Sequence, residues 1–224
     1  NQKKSEFFLQ EIQYLGHIIS HDGIRMDPSK LEVIKSWHKP RNLHELRSFI
    51  GMCAYYRRFI AKFSQVAGPL HDLTKKNVKF VWTAKEQNAF EKLKEKLTSQ
   101  PVLVLPDLSK PFEVQCDACG DCLGAVLLQE GHAIAYESRR LNSDERVLGI
   151  YEKEVLAVLH ALDTWKHYLL RTPFILPNDH ESLKYFMTQT KLSDKQMRWE
   201  NFLLQFNFHI SHIAGKQNQV ADAL

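Results

Sequence analysis

At 224 residues with 44% hydrophobic and 11% aromatic content, the chain is long enough for one large or two small packed domains and too apolar to stay disordered. It has no apolar run of about 18 residues, which argues against a helical membrane span, and its polar start, Asn1 to Ser5, has no signal-peptide core. The net charge of +4 is uneven: residues 1–106 carry 18 Lys and Arg against 10 Asp and Glu (+8), and residues 107–224 carry 12 against 16 (−4). That asymmetry suits a phosphate-gripping module followed by a carboxylate-rich one. With no initiator Met, the chain is expected to be a piece of something longer.

Residues 7–26 are expected to form a hairpin. Phe7 to Ile19 has strand character broken at Gly16, Ser20-His21-Asp22-Gly23 has turn chemistry, and Ile24 to Met26 returns. Asp27 and Pro28 supply the cap and first turn of a helix over 29–37. Pro40 stops it, and Asn42 caps a second helix reaching about Ile60. On that helix Leu46, Phe49, Ile50, Cys53 and Ile60 share one face, and Arg47, Arg58 and Lys62 make a separate basic stripe. Tyr55 and Tyr56 either stack on nucleotide or pack the core, packing being favoured for Tyr56. Shorter helices are expected over 64–73 and, capped by Thr83, over 84–97.

Three prolines between Pro101 and Pro111 mark a boundary, giving a first unit over 1–100, a linker over 101–111 and a second unit over 112–224. Strands are expected at 112–117, 123–129 and 132–138. A helix at about 146–169 has apolar residues at 151, 155, 158, 162, 165 and 169. A strand at 174–179, helices at 181–188 and 193–205, and a strand at 208–213 complete an α/β pattern: a mixed sheet with helices on its faces. Cys116, Cys119 and Cys122 have the spacing of a metal motif but no fourth thiolate nearby. With Cys53 they are read as small hydrophobes in a reducing compartment.

Asp117, Glu154, Asp179 and Asp222 each stand where a strand or helix would present them at one place. Singly, each Asp reads as a solvated loop residue. Converging, the four need a counter-charge, because unpaired buried carboxylates are costly. Hard oxygen donors select Mg²⁺ or Mn²⁺, and two such ions about 3.5–4 Å apart are a common device for cutting phosphodiesters. The residues therefore point to a metal-dependent nuclease. Glu152 is read as a solvated first-turn residue and Asp121 as turn chemistry. His180, His209 and His212 are read as structural.

The motifs carry a resemblance over nearly the whole chain. They include Tyr14-Leu-Gly-His-Ile-Ile-Ser20, Leu46-Arg-Ser-Phe-Ile-Gly51, Tyr55-Tyr-Arg-Arg-Phe-Ile60, Phe80-Val-Trp-Thr83 and Leu105-Pro-Asp-Leu-Ser-Lys-Pro-Phe112. Cys116-Asp-Ala-Cys119, Gly124-Ala-Val-Leu-Leu-Gln129, Ala135-Tyr-Glu-Ser138, Trp165-Lys-His-Tyr-Leu-Leu170, Asp179-His-Glu-Ser-Leu183 and Gly215-Lys-Gln-Asn218 follow. The chain resembles the Pol polyprotein of gypsy-type LTR retrotransposons, with a plant lineage expected.

The resemblance implies the end of a reverse transcriptase, with a primer-gripping hairpin and a mainly helical thumb, followed by a ribonuclease H domain on a mixed five-stranded sheet. It places the acidic quartet on Asp117, Glu154, Asp179 and Asp222, preferring Glu154 over Glu152 because Val155-Leu-Ala157 follows it. It implies two Mg²⁺ ions, replaceable by Mn²⁺, and nucleic-acid contact at Leu15 and Gly16 of the hairpin; the basic stripe of Arg47, Arg58 and Lys62 is read from its charge as gripping the duplex backbone, and Lys216 either touches phosphate or serves a tight turn. The expected partners are an RNA–DNA hybrid or primer–template duplex, the polymerase fingers and palm upstream and integrase downstream, with no membrane. The expected location is the cytoplasm or a virus-like particle. The rival readings are a catalytically inactive nucleic-acid-binding fragment and a structural remnant of a decayed element. Pro177 is out of place in a central strand because it removes a ladder donor. With only Ala223 and Leu224 after it, Asp222 is expected to be poorly held.

Overall fold

A computed structural model describes residues 9–99, 101–178, 182–189 and 191–212. Its first element is a small antiparallel sheet of β1 (Glu11–Tyr14), β2 (His17–Ser20) and β3 (Gly23–Met26). The expected single hairpin is thus two in succession. Leu15 and Gly16, at φ 47° and 76°, make the first two-residue turn; two positive φ values match the right-handed twist of the flanking strands. Gly23, at φ 132°, begins β3 where a Cβ would lie 2.2 Å from the Leu103 carbonyl oxygen, so no side chain fits there.

Asp27 caps α1 (Pro28–Lys35), its Oδ1 accepting from the Ser29 amide at 2.8 Å. Asn42 caps α2 (Leu43–Tyr55), which buries Leu46, Phe49, Ile50 and Cys53. That helix stops at Tyr55 instead of running to Ile60. A 3-10 turn at Arg57–Phe59 follows, and Lys62 turns the chain with φ 60° before α3 (Phe63–Leu73). Arg47, Arg58 and Lys62 therefore leave from three different pieces of backbone and do not form one helical stripe. A Thr83–Glu86 capping box starts α4 (Ala84–Thr98). Phe49 and Phe90, 4.6 Å apart between ring centres, lie at the heart of the first core with Leu46, Leu70 and Leu93.

The proline-bounded segment is tied down at both ends. Leu103 is fully buried and exchanges two backbone hydrogen bonds with Ile24, and the Val104 amide donates to Ala133. The buried Gln129 side chain holds the turn at 107–110, donating to the carbonyls of Asp107 and Lys110 and accepting from the Asp107 amide.

The second sheet has the order β6-β5-β4-β7-β8. β4 (Phe112–Cys119), β5 (Cys122–Gln129) and β6 (His132–Arg140) form an antiparallel meander; β7 (Phe174–Asn178) and β8 (Phe208–His212) add in parallel. The expected 146–169 helix is divided into α5 (Ser143–Arg146), α6 (Ile150–Thr164) and α7 (Lys166–Leu169), with Gly149 as the cap of α6. α8 (Ser182–Thr188) and α9 (Asp194–Leu203) complete the helices described. β5 is apolar almost throughout because both faces are covered. Ala125 and Leu127 meet the α6 side, whereas Val126 and Leu128 pack with Ala133 and Tyr136 on the other.

That other face receives the helical part of the chain. The Ser64 amide donates to Ser138 Oγ at 2.9 Å, and Ser64 Oγ donates to the Ser138 carbonyl at 2.7 Å. Arg57 reaches the same carbonyl at 2.7 Å and pairs with Glu137, while Arg140 pairs with Asp72 at 2.8 Å.

Because Leu103 joins the strap to the first core, Leu103→Ala should cost about 2–5 kcal/mol, the range for a buried Leu truncation. Val102→Ala, at a side chain 46% exposed, should stay within about 0.5 kcal/mol. Urea midpoints for the two variants and the parent chain check this.

Candidate active site

β4 and β7 share ladder positions only at Phe112–Phe174 and Glu113–Ile175. The Phe174 amide donates toward Asn207, at the start of β8. Since amides alternate sides along a strand, the nitrogen at position 177 faces β4, where pairing has already ended. Pro177 therefore removes no hydrogen bond from the β4–β7 ladder, and it still takes its register position opposite Ser211 of β8. The objection to proline in a central strand dissolves here because the strand is only half paired at that point.

The parting of β4 from β7 opens a notch of about 20 Å³ lined by Cys116, Asp117, Glu154, Val155, Leu176 and Pro177, among others. It has room for a water or an ion and none for a nucleotide. Asp117 reaches it from β4 and Glu154 from the first turns of α6, and both are half-buried. α6 is held on the sheet by Val155, Val158 and Leu162. Glu154 is thereby aimed at the notch by the burial of its successor. The preference for Glu154 over Glu152 agrees with this placement: Glu152 lies 3.8 Å from Lys195 and does not line the notch.

Asp117 also borders a second small cavity, with Lys62, Gln65, Cys119, Cys122 and Ser138. Asp117, Gly124 and Ser138 are successive ladder partners across β4, β5 and β6, so they share one face of the sheet. Lys62 and Gln65 come to that face from α3 because Ser64 is fastened to Ser138. Sequence reading put Lys62 on a basic stripe and missed Gln65 and Ser138. The Ala135-Tyr-Glu-Ser138 motif was the available signal for the last.

The remaining site residues are placed as follows. Arg47 is exposed on α2, and Arg58 is half-buried beside His17, whose pKa is lowered by burial and then by the Arg58 charge. Leu15 is exposed at the first turn, and the hydroxyls of Tyr55 and Tyr56 donate to the carbonyls of Leu15 and Gly16. Both tyrosines thus hold the turn, and Tyr56 is buried as expected. Asp121 has a turn role: its carbonyl accepts from the Leu141 amide, and its carboxylate lies 3.4 Å from Arg146. His209 lies on β8. Asp179, His180, Lys216 and Asp222 lie outside the described residues. The structure accordingly bears on Asp117 and Glu154 of the quartet.

Among the described residues no group of three or more His, Cys, Asp or Glu side chains comes together to hold a metal ion. The donors that do meet, two carboxylates, are hard ligands suited to Mg²⁺ or Mn²⁺. Burial and then the Asp117 charge push the pKa of the adjacent Cys116 thiol up. Thiolate is the form that binds soft metals.

A family profile described as an RNase H-like domain found in reverse transcriptase matches residues 82–176. The chain is 40% identical to the Pol polyprotein of transposon 297 from Drosophila melanogaster, with 99% of the chain and 21% of that protein aligned. It is 34% identical to the Pol polyprotein of transposon gypsy from the same organism, over 100% of the chain and 23% of that protein. The chain spans about a fifth of the length of these relatives, and they do not show the expected plant lineage. Among solved structures, a foamy viral protease–reverse transcriptase in complex with RNA/DNA hybrid matches 95% of the chain and 30% of its own with a TM-score of 0.81. At 23% identity that likeness establishes the fold.

The thiols differ sharply in environment, and Cys116 is the one that lines the notch. Cys119 is exposed, whereas burial raises the pKa of both Cys116 and Cys53, the latter to about 12. At pH 8 iodoacetamide should therefore label Cys119 and spare Cys116 and Cys53 until the chain unfolds, as peptide mass mapping would show. A raised thiol pKa favours the folded state below the unfolded value of about 8.5, and that contribution is lost as pH rises through the folded value. Early labelling of Cys116 would contradict the assigned environment.

Proposed function

We propose that the chain is a segment of a gypsy-type retrotransposon Pol polyprotein bearing the RNase H-like domain of reverse transcriptase, and that it hydrolyses the RNA strand of RNA–DNA hybrids. The observation that carries this reading is the meeting of Asp117 and Glu154 at the notch where β4 and β7 part.

In this reading Asp117 and Glu154, together with Asp179 and Asp222, would hold the divalent metal. Bound Mg²⁺ supplies an activated water and charge neutralisation at the phosphate and departing 3′-oxygen. Glu154 is kept in place by Val155 and Val158 behind it, and Asp117 by its ladder position opposite Gly124. The protonated Cys116 thiol beside them adds no negative charge to an already anionic site. Choice of the RNA strand comes from contacts to the 2′-hydroxyl. The helical part, with the excess of positive charge, grips the duplex backbone through residues that include Arg47 and, at the first turn, Leu15 and Gly16. The polymerase fingers and palm upstream and integrase downstream are its partners within the polyprotein, in the cytoplasm or a virus-like particle.

Asp117→Asn and Glu154→Gln should each lower Mg²⁺-dependent cleavage of a labelled hybrid by more than the roughly 10–100-fold that outer-shell changes cost, with the urea midpoint preserved. Glu152→Gln should cleave like the parent. Equal rates for Asp117→Asn and the parent would end the proposal.

Arg47→Ala should flatten the plot of log K against log salt for hybrid binding by about 0.9, the value of one phosphate contact. An unchanged slope would remove Arg47 from the duplex interface.

A further inference from the structure

An open cleft of about 580 Å³ lies between the loop after α1 and the segment before α4, lined by His38, Lys39, Pro40, Arg41, Phe80 and Trp82. None of these six residues lines the carboxylate notch or enters the nuclease reading. The lining combines two aromatic rings with two permanent cations and a histidine, and it includes no carboxylate. The nearest acids in sequence, Glu45 and Glu86, are both occupied: Glu45 accepts from the Arg41 amide at 2.8 Å and from the Asn42 side chain at 2.9 Å, and Glu86 accepts from the Thr83 amide at 2.9 Å.

The rings are fixed in place. The Trp82 indole N–H donates to Gln87 Oε1 at 2.8 Å, and its ring meets Phe90 edge-on at 5.9 Å. Phe80 lies 6.3 Å from Trp82 with the planes 37° apart, and both rings are only half-buried. The indole's polar edge is thus satisfied, and what it offers the cleft is π surface. Lys39 Nζ lies over the face of that ring, 5.7 Å from its centre, and as the end of a long exposed side chain it can swing aside to meet a phosphate when a base takes the ring face. The exposed Lys75, Lys76 and Lys79, on the stretch leading to Phe80, extend the positive surface.

We propose that this cleft binds unpaired nucleotides of a single-stranded nucleic acid, with a base against Trp82 and Phe80 and the flanking phosphates on Lys39 and Arg41. Exposed aromatic faces on which bases can stack, beside a basic groove, are what sequence-independent single-strand binding uses. Duplex bases are already stacked on each other and do not present a free face. An acidic peptide would use the cations and leave the rings idle.

The test is fluorescence anisotropy of the full chain with a labelled eight-nucleotide oligo(dT), an abasic oligonucleotide of the same length and charge, a blunt RNA–DNA hybrid and polyglutamate as competitor. The oligo(dT) should bind more tightly than the abasic strand. Trp82→Ala should weaken oligo(dT) binding by about 5- to 150-fold, the range for loss of one base stack, and Trp82→Phe should restore most of it. Lys39→Ala with Arg41→Ala, at two exposed positions that spare the core, should flatten the salt dependence by about 0.7 per lost phosphate contact. Hybrid binding should be unchanged in all of these variants. Equal affinity for the abasic strand and oligo(dT), or displacement by polyglutamate at equal charge concentration, would overturn the proposal in favour of a purely electrostatic or acidic-peptide site. Loss of hybrid and oligo(dT) binding together in the Lys39/Arg41 variant would make the cleft part of the duplex grip and overturn it as well.

Discussion

β4 and β7 pair for two residues and then separate, with a proline facing the gap on one side and an aspartate on the other. Beyond Glu113 the two strands diverge, and Asp117 and Glu154 both line the notch this leaves. A sheet can stop pairing internally only where something else satisfies or excuses its backbone groups. Pro177 excuses one by having no N–H to satisfy. The placement of α6 then determines which acidic residue can enter the opening, and burial of Val155 leaves Glu154 as the one that does.

The two halves of the molecule meet through a different kind of contact. Ser64 and Ser138 exchange hydrogen bonds over a short distance, and Arg57 with Glu137 and Arg140 with Asp72 flank them. The flanking ion pairs are part-exposed and worth little individually. Reciprocal hydrogen bonds at a part-buried contact are directional, however, and leaving one half unmade carries a penalty. The contact therefore specifies orientation more than it adds affinity, and it brings Lys62 and Gln65 over the sheet face that bears Asp117.

Much of this was legible in the residues. The Asp27-Pro28, Asn42 and Thr83 caps announced their helices because capping is local chemistry. The five strands of the larger sheet were likewise visible as apolar runs between turns. The end of α2 was not, since Arg57 to Ile60 continue a helical apolar spacing and only the docking of Phe59 and Ile60 into the first core takes them out of helix. Gly149 interrupts the long predicted helix for a local reason that the apolar period concealed. Of the site, Asp117 and Glu154 could be named from their motif. The nearness of Lys62 to Asp117 depends on a contact between distant segments and has no local signature.

β6 is an outer strand of its sheet, and α3 with the 3-10 turn lies against it. An uncovered outer strand is a template for pairing with other chains. During synthesis the helical segment emerges first and can pack its own core around Phe49 and Phe90 before β6 is made. When β6 appears, its shield is already folded and waiting. The order of the two units along the chain thus acts as a built-in chaperone for this strand: the surface that covers β6 is synthesised before β6 itself.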